Sequence, residues 1–506
     1  MYCKFRFEKL IKLICNMNIS TRANIFLIFI ILGCAESVSA QKSGPINIKI
    51  FPDSIVNDVS NHPVGINLDY FMDNDKYLRP KHSTVDALKE MGVKYLRYPG
   101  GNKSDFYFFS VPPYEKSQPT LARTGKDAVG GRNKVLNDKA NDFKNPVLDF
   151  DDYILMCREV GAEPVVVVAA DEYLVDYPVG NLASTRKQLL DHAVEWVRYS
   201  NIKMKYNVKY WMIGNESWGP ENKNSTAEIY ANDVVDFSKA MKAVDSTIHI
   251  VPNGNSDKFW KAVLTIGAGH IDDICISNYP VYRYKEGFAT YRDTLKNLMG
   301  PVQTALSSID KYASPEDKKK LRLIVAEYGP FDWGNTRKWP FINNMGYNLA
   351  NFEMTGHQLL EPKIAFSCFW NTRWIDNELD KSSVFDALDR NGNFNANGYG
   401  MMIWGKFLGD KMVKTASTYV NVRTFSSFVP KEKKLYVYLM NTSDKPKEVL
   451  LKIQGYSIKS LNLAWELTGT GPEDTKPVWK EVTGIILSKP QLLQGTSIRV
   501  LEYLLK

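Results

Sequence analysis

The sequence predicts an α/β protein: a (β/α)8 barrel followed by a C-terminal antiparallel β-sandwich. Three observations carry that expectation. Short apolar runs alternate with amphipathic stretches from residue 64 to about residue 410. Runs such as Pro164-Val-Val-Val-Val-Ala169 are apolar throughout, the mark of strands covered on both faces. Beyond Lys411 the rhythm changes to strand-like runs separated by turn-rich segments, with no long helix between them.

The strand candidates are Gly65–Phe71, Tyr95–Gly100, Pro164–Ala169, Lys209–Glu216, His249–Asn253, Ile274–Tyr279, Leu321–Tyr328 and Ile364–Asn371. Eight βα units over this length fit a closed barrel better than an open doubly wound sheet, which usually has fewer strands. Between strands, Leu189, Leu190, Ala193, Val194 and Val197 form one apolar helical stripe. Tyr230, Val234, Phe237, Met241 and Val244 form another, opened by a predicted capping box Ser225-x-x-Glu228. In the C-terminal part Val420–Phe428, Leu435–Asn441, Glu448–Ile453, Ser460–Leu467 and Ser497–Leu505 read as strands. Ile46–Phe51 is also strand-like and is expected to join that sheet. The expected organisation is therefore a signal peptide over 1–40, an N-terminal strand segment over 41–63, a barrel over 64–410 and a sandwich over 411–506.

Composition narrows the function classes. The chain has 506 residues, 44% hydrophobic and 24% charged, which excludes a disordered protein or a small disulfide scaffold. Ile25–Gly33 is a nine-residue apolar run after Arg22, too short to span a bilayer and suited to the core of a signal peptide. Val38-Ser39-Ala40 offers a cleavage site, and the competing expectation is a lipid anchor at Cys34. Either way the protein is expected to be exported, to the periplasm or beyond. The formal charge of +8, part of it in the first 40 residues, is too dilute to imply a nucleic-acid partner. No P-loop and no GxGxxG after a strand implies a nucleotide, and no cofactor or metal is expected. Cys157, Cys275 and Cys368 sit in apolar contexts and read as buried free thiols. None of His62, His82, His192, His249, His270 and His357 ends a predicted strand beside a Ser or Cys nucleophile. The oligomeric state is open, a homo-oligomer included.

In a (β/α)8 barrel the C-terminal strand ends carry the active site. The fourth strand candidate ends Tyr210-Trp-Met-Ile-Gly-Asn215-Glu216, and the seventh ends Ile324-Val-Ala-Glu327-Tyr328. Each apolar strand delivers a carboxylate to the rim, where burial makes an ionised acid costly without a purpose. Two carboxyl groups flanking one bond are what glycoside hydrolysis needs. Trp218, Trp333, Trp339, Trp370 and Trp374 fall just past strand ends, where an indole can stack on a sugar ring or fill loop core. Trp370 is the strongest candidate for a subsite floor. The long Phe109–Asn145 segment after the second strand reads as a substrate wall or as a plain surface insertion.

Asn215-Glu216 with Glu327 resembles clan A of the glycoside hydrolases. Tyr95-Leu-Arg-Tyr-Pro-Gly-Gly-Asn102, Glu195-Trp-Val-Arg-Tyr-Ser-Asn201 and Asn207-Val-Lys-Tyr-Trp-Met-Ile-Gly-Asn-Glu216-Ser-Trp-Gly219 resemble the α-L-arabinofuranosidases of family fifty-one. The resemblance implies Glu216 as general acid/base and Glu327 as nucleophile of a retaining double displacement. It implies Asn215 and Asn102 as sugar contacts and Arg97 as a fixed charge among the carboxylates. Two positions depart from the family pattern. Asp69 stands where the family usually has Glu at the end of strand one. Ser277-Asn278-Tyr279 stands where it usually has His-Tyr-Tyr, so Asn278 and Tyr279 are expected to take that place, with Tyr279 hydrogen-bonded to Glu327. The expected substrate is a polysaccharide or oligosaccharide. The rivals are an agarase-like, glucanase-like or glucuronidase-type hydrolase of the same clan and, in another class, a non-catalytic glycan-binding protein.

Overall fold

The computed structural model describes residues 44–121, 136–137, 142–170, 182–219, 226–280, 287–293, 297–329, 342–373, 384–417 and 419–506. The predicted signal segment with Cys34, as well as Ser225, Trp333, Trp339 and Trp374, lies outside them.

All eight barrel strands form where the apolar runs predict them. In chain order they are Val64–Asn67, Tyr95–Tyr98, Glu163–Val168, Tyr210–Ile213, His249–Pro252, Ile274–Asn278, Leu323–Tyr328 and Ile364–Phe369. They pair in parallel in one eight-stranded sheet. The gap between strands five and six carries the bridge Asn253 to Cys275, which brings the ends together. The uninterrupted apolarity of strand three now has its reason. Val165 and Val167 face the barrel interior with Tyr95, Met212, Val251, Ile324 and Phe366. Val166 and Val168 face the helix layer, so all four valines of the run are buried. Cys157, Cys275 and Cys368 are buried free thiols.

The helices follow the predicted stripes. Leu182–Val197 buries Leu189, Ala193, Trp196 and Val197. Ala227–Lys242 buries Tyr230, Val234, Phe237 and Met241. Its cap is Thr226, whose hydroxyl accepts from Ile229 N–H. The predicted Ser225-x-x-Glu228 box is thereby shifted by one residue, and Glu228 falls inside the first turn rather than at its reciprocal position.

The first part of the long segment after strand two is core. Tyr107, Phe108 and Phe109 are buried, and Phe109 stacks on Trp196 with centroids 5.3 Å apart. His192 is buried in the same cluster, stacked on Phe108 at 4.1 Å. Its Nε2 accepts from Phe109 N–H, and burial pushes its pKa down to about 3. The unfolded chain binds a proton below about pH 6.5 that the native site refuses, so the stability present above that pH is lost as pH falls. His192→Gln, which keeps an acceptor and cannot charge, is expected to flatten this acid loss by about 1.4 kcal/mol per pH unit below 6.5. Chemical denaturation of both proteins between pH 7 and 4.5 checks it, and equal slopes would contradict it.

The second sheet has nine strands, in the spatial order Val478–Glu481, Ile458–Thr468, Ser497–Leu505, Lys434–Asn441, Val422–Val429, Lys411–Ser417, Ile46–Asp58, Lys447–Ile453 and Gln491–Leu493. Every ladder is antiparallel except that between Ile46–Asp58 and Lys447–Ile453. The N-terminal strand is thus central to the C-terminal sheet. Gln491 Nε2 donates to Tyr503 Oη and Arg499 Nη2 to Leu492 O. These bonds join strands far apart in the order, so the sheet folds over its own apolar core of Ile48, Val413, Val437, Val449 and Leu501. Its other face packs on the barrel helices Met345–Leu359 and Ala396–Lys406, where Trp404 meets Tyr438 at 4.4 Å. Arg423 pairs there with the buried Glu353.

Candidate active site

The residues at the C-terminal strand ends build one hydrogen-bonded cluster around Arg97. Arg97 stands in strand two, two residues above the interior Tyr95, and is 2% exposed. Its Nη1 donates to Glu327 Oε1 at 2.9 Å and to Asn67 Oδ1 at 2.8 Å. Its Nη2 donates to Asn215 Oδ1 at 2.7 Å, and its Nε faces Met212 Sδ at 3.2 Å. One planar guanidinium therefore ties strand one, the turn after strand four, and strand seven together, a task for which its fixed fork suits it. Glu327, 5% exposed, accepts a second bond on Oε2 from Tyr279 Oη at 2.9 Å. Burial first, then the nearby Glu327 and Glu216 charges, push the Tyr279 pKa well above 10. The phenol therefore stays protonated and keeps donating. Glu327 is thus a buried carboxylate with both oxygens held.

Glu216 is half-buried on the turn beyond strand four. Its φ of +46° lies in the left-handed region, which costs a non-glycine residue about 1–2 kcal/mol. The turn is held from both sides. Gly214 N–H donates to Val168 O and Gly219 N–H to Glu216 O. Asn215 N–H donates to Asp105 Oδ1. Asn253, at the end of strand five, accepts from Ser217 N–H and donates to Ile213 O. The surroundings fix a strained Glu216 in place, a pattern that recurs at functional sites.

The structure gathers Arg97, Asn215, Glu216, Tyr279 and Glu327 at this rim, and Asn102 stands exposed on the turn after strand two. Three further expected sugar contacts are buried. Asp69 is wholly buried and paired with Lys103, Nζ to Oδ2 2.8 Å, so its charge is spent inside the protein. Asn278 is wholly buried and turns its Nδ2 to Leu298 O. Trp370 is 2% exposed and brings the Cη2 tip of its ring against Gly101, where an added Cβ would meet it at 2.3 Å. It packs against the Gly100–Asn102 turn. Trp218 packs edge-on against Phe259. Sequence reasoning missed Asn67, Lys103, Asp105 and Asn253. Each is a polar residue at or just beyond an apolar strand, which was the available signal. Among the described residues no group of three His, Cys, Asp or Glu side chains is arranged to hold a metal.

A parallel eight-stranded barrel with a buried, doubly held Glu ending strand seven and a rim Glu after strand four is the arrangement of the clan A glycoside hydrolases. Within that class the likeness is to the family fifty-one α-L-arabinofuranosidases. Residues 87–299 match the family model described as the alpha-L-arabinofuranosidase 1 domain. The probable alpha-L-arabinofuranosidase C of Aspergillus niger is 29% identical over 191 residues, 34% of this chain and 32% of that protein. The intracellular exo-alpha-(1->5)-L-arabinofuranosidase of Acetivibrio thermocellus is 23% identical over 294 residues, 53% of each chain. These matches span about a third to about half of the relatives' length. The crystal structure of the Thermotoga maritima alpha-L-arabinofuranosidase in its arabinose complex shares the fold. It has a TM-score of 0.66 at 18% identity, covering 90% of this chain and 99% of that one.

Proposed function

We propose that the protein is a retaining glycoside hydrolase that removes α-L-arabinofuranosyl groups from polysaccharide or oligosaccharide side chains. The observation that carries this reading is the pair of carboxylates, Glu327 held by Arg97 and Tyr279, and Glu216 on the constrained turn beyond strand four. In the first step Glu216 gives its proton to the glycosidic oxygen while a Glu327 oxygen attacks the anomeric carbon. The C–O bond to the leaving group breaks and an ester to Glu327 forms. In the second step Glu216 takes a proton from water, the water oxygen attacks the same carbon, and the ester opens to return Glu327. Asn215 spends its Oδ1 on Arg97, which leaves its Nδ2 to donate to a sugar hydroxyl beside the reacting carbon. Such a bond raises the rate to the extent that it tightens in the transition state. Asn102 supplies a further polar contact from the rim.

The matched family model and the two arabinofuranosidase relatives support the choice of sugar. The Ile25–Gly33 run and the Val38-Ser39-Ala40 site support export, with Gln41 as the first mature residue or a lipid on Cys34. A panel of 4-nitrophenyl glycosides tests the reading. Turnover of the α-L-arabinofuranoside is expected to exceed that of the β-D-glucoside, β-D-xyloside and β-D-glucuronide by about 100-fold or more in kcat/KM. A preference for any of the others would replace the sugar. Binding of arabino-oligosaccharides with no turnover of any member would replace the enzyme by a glycan-binding protein.

A further inference from the structure

Strand seven contains an irregularity on which the placement of Glu327 depends. Against strand six, Val325 pairs with Ile276 but Glu327 pairs with Ser277. Against strand eight, Val325 pairs with Ser367 but Tyr328 pairs with Phe369. Beyond Val325 strand seven has one residue more than its partner in both ladders, and the strand-eight ladder carries an opposite shift earlier, between Leu323 and Ile324. A bulge of this kind reverses the in–out alternation beyond it. The side chains show the reversal. Ile324 and Ala326 face the barrel interior, while Leu323 and Val325 face the helix layer. Regular alternation would turn Glu327 outward and Tyr328 inward. Instead Tyr328 lies in the outer cluster, its hydroxyl 2.9 Å from Thr355 on helix Met345–Leu359, and Glu327 turns in to Arg97 and Tyr279. Ala326 and Glu327 are successive inward residues.

The bulge has a dedicated partner. Asn67, the last residue of strand one, is wholly buried. Its Nδ2 donates to Ala326 O at 2.9 Å, and lies 3.3 Å from Cys368 O and 3.2 Å from Phe369 O. The side-chain amide thus replaces the ladder donor that the extra residue displaces. Its Oδ1 accepts from the same Arg97 Nη1 that holds Glu327.

We propose that Asn67 is a positioning residue: by bonding the Ala326 carbonyl and the Arg97 guanidinium together it holds the strand-seven bulge that turns Glu327 into the barrel. The proposal rests on the reading of Glu327 as nucleophile. Asn67→Asp is the informative substitution. It keeps an acceptor for Arg97 and the volume of the side chain, and it removes the donor to Ala326, Cys368 and Phe369. Asn67→Ala removes both functions. Both variants are expected to lose about 100-fold in kcat on 4-nitrophenyl α-L-arabinofuranoside, with KM within about threefold, because the misplacement affects the reacting atoms more than the binding of the sugar. Rates are taken per folded molecule, with the folded fraction set by circular dichroism, so that a merely structural loss leaves them unmoved. Glu327→Gln is measured in parallel. If it is inactive while the folded Asn67→Asp protein turns over within twofold of the parent, the proposal falls and the nucleophile assignment stands. If Glu327→Gln is itself active, the functional reading falls and takes the proposal with it. If Asn67→Asp does not fold, the folded fraction of Asn67→Ala decides by the same criterion, and misfolding of both overturns a positioning role in favour of a structural one.

Discussion

Replacing Glu327 by Gln or Ala is expected to reduce turnover of 4-nitrophenyl α-L-arabinofuranoside by about four orders of magnitude or more. No other carboxylate in the cluster can take its place as the attacking group, and losing a nucleophile of this kind removes the covalent route entirely. Glu327→Gln keeps the shape of the side chain and an acceptor for Arg97. Glu327→Ala leaves a buried guanidinium without its anion, which costs about 3–5 kcal/mol when one partner of a buried pair is removed. The two variants should therefore agree in activity and differ in stability. In Glu327→Ala the emptied space admits a small anion, so added azide is expected to restore part of the turnover. The azide takes the position of the missing carboxylate and leaves a sugar azide of inverted configuration. Retention of more than about a tenth of the parent rate by Glu327→Gln would remove this carboxylate from the mechanism.

Substitution of Glu216 should give a loss that depends on the leaving group. An alkoxide from an arabino-oligosaccharide needs a proton to depart, so Glu216→Gly is expected to lose about 10²–10⁴-fold on such substrates. Nitrophenolate leaves without help, so the first step with the aryl glycoside should be far less affected. The second step still lacks its base, and azide should accelerate it. Stability should move the other way. The φ of +46° at Glu216 suits glycine, so Glu216→Gly is expected to be at least as stable as the parent, by up to about 1 kcal/mol. Parallel kinetics on the oligosaccharide and the aryl substrate, with denaturation curves, check both halves. Equal losses on both substrates would contradict the proton-donor role. A clear loss of stability would contradict the account of the strained turn.

Much of this architecture was legible in the sequence because burial on both faces writes itself as uninterrupted apolar runs. The eight strand candidates and the two carboxylates at the ends of the fourth and seventh came from that signal. The same signal hid the bulge at Ala326. In Leu323-Ile-Val-Ala-Glu-Tyr328 neither face is polar, so no alternation marks where the phase reverses. Asp69 could be read as a rim carboxylate because a sequence shows the acid and not its partner, and Lys103 is 34 positions away in the chain. Asn67 went unnoticed for the same reason, since its carbonyl partners lie on strands seven and eight. At the start of Ala227–Lys242 two adjacent hydroxyl residues could each serve as the cap, and the chain uses Thr226. Lys411–Ser417, Val478–Glu481 and Gln491–Leu493 in the second sheet are short or carry lysines, so their pattern falls below what alternation can reveal.

In the proposed mechanism Glu327 attacks the anomeric carbon while Glu216 serves the leaving oxygen. A slow arabinofuranosyl substrate bearing fluorine beside the anomeric centre, with a good leaving group, should halt the cycle at the ester. Proteolysis and mass spectrometry of the trapped protein then locate the sugar. One sugar per chain is expected, on the peptide containing Glu327, and no label when Glu327 is Gln. A label on any other residue, or turnover with inversion and no trapped ester, would contradict it.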